Sequence, residues 1–248
     1  MKVSRRELVT LLGAGAAVAA AGATVSSATA AAQTTAPARQ PRWGMVIDLR
    51  KCIGCQACSV ACSMENAVPT GNFRTIVPSY EIEVNGAARR ATLPRLCNHC
   101  ENPPCVEVCP TQATYKREDG IVVVDNEVCI GCGYCVQGGP YDARFINPET
   151  HTADKCTFCV HRTEAGLLPA CVETCVGGAR TFGDLNDPQS AVSKLIAEHA
   201  TQVLKPEMGT EPNVFYIGLS DYLQARVRGE PTPWSKEEIM KDMVEATS

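Results

Sequence analysis

The chain has 248 residues, of which 15 are cysteine, 19 glycine and 16 proline. The odd cysteine count weighs against complete disulfide pairing, and disulfide scaffolds of this cysteine density are usually much shorter secreted chains. With a net charge of −4 at pH 7 and only 5% aromatic residues, the composition argues against nucleic acid as a partner and against a large aromatic core.

The first 32 residues have the layout of an export signal. The segment Ser-Arg-Arg-Glu-Leu at residues 4–8 resembles a twin-arginine motif, and no charged residue follows before position 39. Small residues at 28–30 and 30–32 offer two cleavage sites. The segment predicts a periplasmic protein that is exported folded, with its cofactor in place. The alternative is an uncleaved membrane anchor, which is disfavoured because alanine and glycine contribute little to insertion.

The cysteines fall into four groups with short, repeated spacings. Group one is Cys52, Cys55, Cys58 and Cys62; group two is Cys97, Cys100, Cys105 and Cys109; group three is Cys129, Cys132 and Cys135; group four is Cys156, Cys159, Cys171 and Cys175. The spacing C-x2-C-x2-C-x3-C is typical of bacterial ferredoxins, in which three thiolates hold one 4Fe-4S cluster and the fourth reaches a neighbouring cluster. In group three the fourth position is Gly139, followed by Pro140.

Zinc and disulfides are the alternatives to iron for these cysteines. A zinc site needs two pairs of ligands separated by a longer loop, whereas three cysteines at x2, x2 spacing crowd one side of a tetrahedral ion. Adjacent C-x-x-C turns also make poor disulfide networks. The spacing therefore favours iron–sulfur clusters over both.

Turn and capping signals predict the elements between the cysteines. Residues 80–84 followed by Asn85-Gly86 predict one hairpin, and residues 114–124 with Asp119-Gly120 at the turn predict another. Asp187-Pro188 predicts a helix that runs to about Leu204, with Pro206 ending it. Its apolar stripe, which we expect to pack against the core, is Val192, Leu195, Ile196 and Val203.

The cluster loops also repeat internally, because residues 47–55 echo residues 124–132. Together these patterns predict an α+β fold of two ferredoxin-like iron–sulfur modules with short hairpins and helices, plus a C-terminal helix and strand extension. The predicted organisation is a signal peptide at 1–32, a double ferredoxin-like region at 43–185 and the extension at 186–248.

Longer stretches extend the pattern beyond cysteine spacing. They are Cys-Ile-Gly-Cys-Gly-Tyr-Cys-Val-Gln at 129–137, Thr-Ala-Asp-Lys-Cys-Thr-Phe-Cys-Val-His-Arg at 152–162, Ala-Gly-Leu-Leu-Pro-Ala-Cys-Val-Glu at 165–173, Val-Gly-Gly-Ala-Arg at 176–180, Val-Leu-Lys-Pro-Glu at 203–207 and Phe-Tyr-Ile-Gly-Leu at 215–219. Residues 43–220 resemble the four-cluster, ferredoxin-like iron–sulfur subunits of molybdopterin oxidoreductase complexes, such as polysulfide, dimethyl sulfoxide and tetrathionate reductases. Within that family the stretches are most similar to the tetrathionate reductase beta subunits.

The resemblance implies that each trio of cysteines takes its fourth ligand from another group. We name the implied sites A to D. Site A is Cys52, Cys55, Cys58 and Cys175; site B is Cys62, Cys156, Cys159 and Cys171; site C is Cys97, Cys100 and Cys105; site D is Cys109, Cys129, Cys132 and Cys135. Site C should receive its fourth thiolate from position 139, but Gly139 has no side-chain ligand. The implied cofactors are three 4Fe-4S clusters and one cluster held by three cysteines.

Three states are open for site C: a 3Fe-4S cluster, a 4Fe-4S cluster with a non-cysteine ligand, or a vacant, misfolded site. The first is favoured because a missing corner removes one iron without disturbing three good thiolates. Asp142 and His99 are candidate substitute ligands. The ordinary alternatives are a polar loop residue for Asp142, and for His99 a hydrogen bond to a cluster sulfur or to the backbone.

The implied function is electron transfer without catalysis by this chain. The resemblance implies a subunit that transfers electrons between a membrane quinol-oxidising subunit and a molybdopterin catalytic subunit. It places the membrane subunit near groups two and three and the catalytic subunit near groups one and four. His151, His161 and His199 are scattered and form no catalytic or metal-binding spacing. The alternatives are a wire for another terminal reductase, acting on polysulfide, nitrite or an arsenic oxyanion, and a zinc-bound structural module.

Overall fold

The computed structural model describes residues 39–84, 87–221, 223 and 224 of the chain, so the signal predicted at 1–32 lies outside the described residues. The helices are α1 Ala57–Glu65, α2 Pro104–Glu107, α3 Tyr134–Gly138, α4 Val160–Thr163, α5 Ala170–Glu173 and α6 Ala191–Glu198. The strands are β1 Trp43–Asp48, β2 Thr75–Ile76, β3 Ser79–Val84, β4 Ala87–Thr92, β5 Arg95–Leu96, β6 Thr114–Lys116, β7 Val122–Val124, β8 Arg144–Ile146, β9 Ala153–Lys155, β10 Arg180–Asp184, β11 Thr201–Gln202 and β12 Val214–Ile217. This mixture of short helices and small sheets confirms the α+β prediction.

A four-stranded sheet with the order β10-β1-β12-β11 joins strands from both ends of the described chain. β1 pairs antiparallel with β10 and parallel with β12. Met45, Val46 and Ile47 of β1 are completely buried, as expected for an apolar central strand that is covered on both faces. The sheet ties residues of the C-terminal extension to the strand that leads into group one.

Both predicted hairpins are confirmed. β6 pairs antiparallel with β7, and Gly120 in their connection has a φ of 83°, which glycine adopts without steric cost. β3 pairs antiparallel with β4, and the predicted turn residues 85 and 86 lie outside the described residues. The pairs β2 with β5 and β8 with β9 were not predicted, because their strands are only two or three residues long.

The cysteine-bearing helices pack in two pairs. α1 carries Cys58 and Cys62, so the x3 spacing in group one is helical. α1 packs against α5, which carries Cys171, and α2, which carries Cys105, packs against α3. These pairs bring group one to group four and group two to group three.

The helix predicted from Asp187-Pro188 to about Leu204 is shorter than expected at its start. α6 begins at Ala191, because the Ser190 side chain accepts a hydrogen bond from the Ser193 backbone N–H at 3.2 Å and so caps the helix. Asp187 instead organises the preceding turn, where its carboxylate accepts from the Gln189 N–H at 2.8 Å. Ser190, and not the predicted Asp187, is therefore the N-cap of α6.

The predicted end of this helix is also wrong. After Glu198 the chain forms β11, which pairs with β12, so Val203 lies outside the helix. Pro206 begins a 3₁₀-helix, Pro206–Met208, and does not end α6. The expected packing of the stripe is confirmed for its helical members, which form an apolar cluster with β1 and β12: Val192, Leu195 and Ile196 against Val46 and Ile217.

A row of rings crosses the main core. Trp43 stacks on Phe182 with ring centroids 5.1 Å apart, Phe182 meets Phe158 edge-on at 5.2 Å, and Phe158 stacks on His99 at 3.8 Å. Cysteines of sites A, B and C share this core. Within the described residues, no helix has the length and apolar character needed to cross a membrane.

Candidate iron–sulfur sites

The four cysteines of site A line one cavity. Its free space, including the mouth, is about 350 Å³, and its walls include Ile53 and Gly177. A Cβ atom at Gly177 would lie 2.3 Å from the Lys51 carbonyl oxygen, closer than real atoms approach. Glycine at 177 therefore allows the loop after Cys175 to lie against the loop before Cys52.

The four cysteines of site B line a second cavity, of about 290 Å³. All four are buried, and the cavity walls also include Asn66, Arg74 and Phe158. The Asn66 Nδ2 atom lies 3.7 Å from the sulfurs of both Cys62 and Cys159. A carboxamide therefore donates to the thiols of site B.

The three cysteines of site C line a third cavity, of about 400 Å³. Gly139 and Pro140 form part of its wall, as do Asn98, Tyr141 and Arg144. The volume is comparable to those of the two four-cysteine sites, and the wall at position 139 contributes no side chain.

The cysteines of site D flank the contact between α2 and α3. Cys135 is buried and Cys129 is partly buried in one apolar cluster, and Cys132 is exposed. Cys109, just beyond α2, accepts a hydrogen bond at its sulfur from the Thr114 backbone N–H at 3.5 Å.

The spacing of the thiols fits clusters better than single ions. Within the described residues, no three His, Cys, Asp or Glu side chains converge closely enough to hold one metal ion. Zinc would require thiolates about 2.3 Å from one point. The cysteines of sites A, B and C instead surround cavities, as is needed when each thiolate binds a different iron.

Burial makes these thiols costly to ionise without a metal. Burial raises the pKa of Cys62 to about 12, and repulsion from the thiolates of Cys171 and Cys159 contributes in the same direction. Burial, with repulsion from Cys97, likewise raises the pKa of Cys100 to about 12. Bound iron removes the proton from a coordinating thiol and supplies the compensating charge. The donor set therefore fits an iron–sulfur cluster.

Backbone N–H groups point at sulfurs in several sites. Ala179 donates to Cys175 at 3.2 Å, and Ala153 donates to Cys129 at 3.4 Å. Hydrogen bonds to sulfur favour the more negative, reduced form of a cluster and so raise its reduction potential. The fold thus supplies donors that tune each site.

Three buried cations lie among the sites. Arg144 donates from Nη2 to the Cys105 sulfur at 3.0 Å. Lys155, whose residue is 1% exposed, donates to the carbonyl oxygens of Val122 and, at 2.7 Å, of Cys156.

Arg180 is the third buried cation, and it donates to Thr75 Oγ1 at 2.8 Å. Burial is the largest single effect on the pKa of its guanidinium and lowers it, but the thiolates of Cys171 and Cys58 act in the other direction and the pKa is raised overall. Arg180 is therefore set between sites A and B.

Two of these cations face each other across one hairpin, because Arg144 of β8 pairs with Lys155 of β9. Burying like charges side by side is strongly unfavourable unless anionic groups compensate. Burial, with repulsion from Arg144, lowers the pKa of Lys155, and the thiolates of Cys97 and Cys105 oppose this by favouring its charged form. An anionic cluster at site C would make this pair of cations stable.

The sites form a row. The thiols of Cys171 in site B and Cys58 in site A are close enough to repel when ionised, as are those of Cys156 in site B and Cys97 in site C. Cys105 of site C shares an apolar cluster with the site D cysteines 129 and 135. The order is A, B, C, D.

The two ends of this row reach the surface. All cysteines of sites B and C are buried, whereas the exposed cysteines are Cys55 in site A and Cys132 in site D. Ile53 and Ile130, beside these exposed cysteines, are each 67% exposed. The arrangement provides a buried middle with an accessible site at either end.

The candidate substitute ligands lie elsewhere. Asp142 has a side chain that is 77% exposed and pairs with Arg95 at 3.7 Å, so it is a polar loop residue. His99 is completely buried, and its Nδ1 accepts a hydrogen bond from the Val122 backbone N–H at 3.1 Å. This matches the alternative of a backbone hydrogen bond. The residues that line the site C cavity within the described chain are others.

Sequence reasoning missed the polar residues around the clusters. Arg144 and Arg180 each follow an alanine and each lie five residues beyond the fourth position of groups three and four. This repeated Ala-Arg pair was a usable signal. Asn98 and Lys155 carry no comparable signal, because their burial depends on the tertiary fold.

Comparison with known proteins identifies the modules. Residues 51–113 match one family model described as a 4Fe-4S dicluster domain, and residues 89–185 match a second model with the same description. Together these matches cover all the cysteines.

Several curated proteins are similar over most of the chain. The tetrathionate reductase B subunit of Salmonella typhimurium is 60% identical over 202 residues, which cover 80% of this chain and 81% of the relative. The corresponding tetrathionate reductase protein of Archaeoglobus fulgidus is 49% identical over 72% of this chain and 83% of its own. A putative dimethyl sulfoxide reductase iron-sulfur protein of Halobacterium salinarum is 46% identical, with coverage of 71% and 78%. The chain therefore belongs to the family of ferredoxin-like iron–sulfur subunits that transfer electrons in reductase complexes.

Proposed function

We propose that the chain carries electrons from a membrane quinol-oxidising subunit to a molybdopterin catalytic subunit that reduces tetrathionate or a related sulfur oxyanion. The observation that carries the proposal is the row of sites A to D, with a buried middle and an exposed cysteine at each end. The substrate class is supported by the 60% and 49% identity to the iron–sulfur subunits of two tetrathionate reductases.

The residues of the chain hold, insulate and tune the carriers. The cysteines of sites A to D would hold iron–sulfur clusters, which supply one-electron carriers when bound. The apolar core excludes water from sites B and C, while Arg180, Lys155 and Arg144 place positive charge along the row. Buried positive charge favours the reduced, more negative form of a carrier. The chain itself contributes no acid, base or nucleophile to this function.

We also propose that the protein works in the periplasm after export in the folded state. The support is the twin-arginine-like motif at residues 4–8 and the uncharged stretch that follows it. A chain with both arginines changed to lysine should remain in the cytoplasm with its clusters. Periplasmic accumulation of that variant would contradict the proposal.

For site C we propose a 3Fe-4S cluster, beside 4Fe-4S clusters at sites A, B and D. The support is the large cavity with three thiols and no fourth, because Gly139 stands in its wall. Iron and sulfide analysis with electron paramagnetic resonance (EPR) should give about 15 irons per chain and a three-iron signal in the oxidised protein. About 16 irons without that signal would indicate a substitute ligand, and about 12 a vacant site.

Isolation of the complex tests the electron-transfer function. The chain should co-purify with a molybdopterin subunit. In the complex, quinol should reduce the clusters and so lower their visible absorbance, and tetrathionate should reoxidise them. A multihaem cytochrome as the partner would contradict the proposal. A colourless preparation that contains zinc and no acid-labile sulfide would support the structural zinc module instead.

A second candidate function is that of an electron-transfer subunit for another terminal reductase. The 46% identity to a dimethyl sulfoxide reductase protein favours this alternative over unrelated functions. The two candidates are distinguished by offering tetrathionate and dimethyl sulfoxide to the reduced complex and measuring which of them reoxidises the clusters.

A further inference from the structure

Asn98 presents an unexplained polar group. Its residue is 1% exposed, and neither Oδ1 nor Nδ2 has a hydrogen-bond partner within the described residues. A buried polar atom without a partner carries the full cost of its lost hydration. A side chain kept in this state is expected to have a partner that is not a protein atom.

The backbone around Asn98 is held in place. Its carbonyl oxygen accepts a hydrogen bond from the Asn213 backbone N–H at 2.9 Å. The neighbouring His99 carbonyl accepts one from the Asn213 side chain at 2.6 Å. Since Asn98 lies between Cys97 and Cys100, its loop is also fixed by the cysteines of site C. The carboxamide therefore has little freedom to turn towards solvent.

Asn98 forms part of the wall of the site C cavity, where the other polar side chains are already engaged. Arg144 donates to the Cys105 sulfur at 3.0 Å and to Thr114 at 3.3 Å. The Tyr141 hydroxyl bonds with the Thr210 hydroxyl at 2.5 Å. Most of the remaining wall is apolar, formed by Pro103, Pro104, Val122, Val136, Pro140 and Ala143.

Sulfur is the side-chain acceptor that this cavity offers to Asn98, from Cys97, Cys100 and Cys105. An amide N–H is a suitable donor to the thiolates and sulfides of a cluster. Site B provides an internal precedent, because Asn66 Nδ2 lies 3.7 Å from the sulfurs of Cys62 and Cys159. An iron ligand, by contrast, would have to reach the one iron that lacks a thiolate, on the side of Gly139, whereas a donor could meet any sulfur of the cluster.

We propose that the Nδ2–H group of Asn98 donates a hydrogen bond to a sulfur atom of the cluster at site C and thereby raises its reduction potential. This inference rests on the proposed function, since it requires a cluster at site C. Asn98 is a positioning and tuning residue, and it stabilises the reduced form of a cluster that has lost one thiolate.

Pulsed EPR on the intact complex tests the proposal. In protein labelled with 15N-asparagine, the site C signal should show coupling to 15N and to a proton that exchanges in D2O. The 15N coupling should be lost in Asn98→Leu, which has a similar volume and no side-chain N–H group, and the exchangeable-proton coupling should weaken to that of the remaining donors such as Arg144. Redox titration of that variant should place the site C midpoint potential below that of the parent.

Asn102→Leu is the matched control, because Asn102 is a residue of the same segment whose side chain donates to Glu211 at 3.2 Å in an exposed hydrogen bond. It should retain the couplings and the potential of the parent. Unchanged couplings in Asn98→Leu would overturn the proposal, as would loss of one iron from site C, which would make Asn98 an iron ligand through Oδ1.

The labelled parent protein gives a result even if Asn98→Leu fails to assemble, and a site C signal without 15N coupling overturns the hydrogen bond. A parent protein that contains no iron would instead contradict the proposed function. The two failures are therefore distinguishable.

Discussion

Gly139 occupies a position where the backbone does not require glycine. Its φ of −84° and ψ of 120° are accessible to any L-residue. A Cβ atom there would have the Cys135 carbonyl oxygen at 3.3 Å as its nearest neighbour. A small adjustment would therefore accommodate a side chain. The absence of a thiol at this position changes the ligand set of site C without being dictated by the fold.

Gly139→Cys should convert site C into a four-thiolate site. The new sulfur would enter the cavity that Cys97, Cys100 and Cys105 already line. We expect iron to rise from about 15 to about 16 per chain and the three-iron EPR signal to disappear. Gly139→Ala adds the Cβ atom without the sulfur and should leave both unchanged. Loss of the three-iron signal in the alanine variant would mean that steric change, and not ligation, is responsible.

At the scale of elements, the hairpin formed by β8 and β9 carries two buried basic residues. It places Arg144 opposite Lys155, and both are buried next to site C. Their charges attract the thiolates of site C. Arg180 likewise attracts thiolates of sites A and B. β8, β9 and β10 thus each place one buried cation beside cysteines of the row.

Replacing Lys155 by methionine should lower the midpoint potentials of the clusters at sites B and C. The methionine keeps much of the side-chain volume and removes a buried positive charge that favours the reduced form. Potentiometric titration followed by EPR measures this shift. Lys155→Arg retains the charge and should stay nearer to the parent, and Lys194→Met, on α6, should have no effect. Equal potentials in Lys155→Met and the parent would refute the role of the charge.

The capping of α6 gives a prediction about stability. Ser190→Ala removes the hydrogen bond from the Ser193 N–H and should cost about 1 kcal/mol. For a chain of this length, that corresponds to a decrease of about 2–4 °C in the thermal midpoint. Asp187→Ala, at the cap position predicted from the sequence, should cost less, because it removes a bond within a turn. A larger loss in Asp187→Ala would show that the helix begins earlier.

The sequence predicted those parts of the molecule that depend on short segments. Cysteine spacing sufficed for the four groups, and Asp119-Gly120 sufficed for the β6–β7 hairpin, because both signals are local. The end of α6 was mispredicted because β11 pairs with a strand that follows twelve residues later. The roles of Asn98 and Lys155 were not predicted either, because their burial depends on contacts with residues that are distant in sequence.

At the scale of the whole molecule, the row of sites has two chemically similar ends. Ile53 beside Cys55 and Ile130 beside Cys132 occupy equivalent positions in the internal repeat, and each is 67% exposed. Exposed apolar groups next to an accessible cysteine suit a dry contact with a partner protein. The internal repeat thus accounts for two ends of the same construction, which the proposed function uses as entry and exit.

Charged substitutions at the two ends should separate entry from exit. Ile130→Glu, at site D, should slow reduction of the clusters by quinol, because a buried carboxylate disfavours docking of the membrane partner. Ile53→Glu, at site A, should leave that step intact and slow reoxidation by tetrathionate through the catalytic subunit. Met208→Glu is the control, since Met208 is also apolar and exposed but lies on the 3₁₀-helix Pro206–Met208. Stopped-flow absorbance of the clusters in the intact complex measures both steps, and equal effects of the two isoleucine variants on both steps would contradict a directional row.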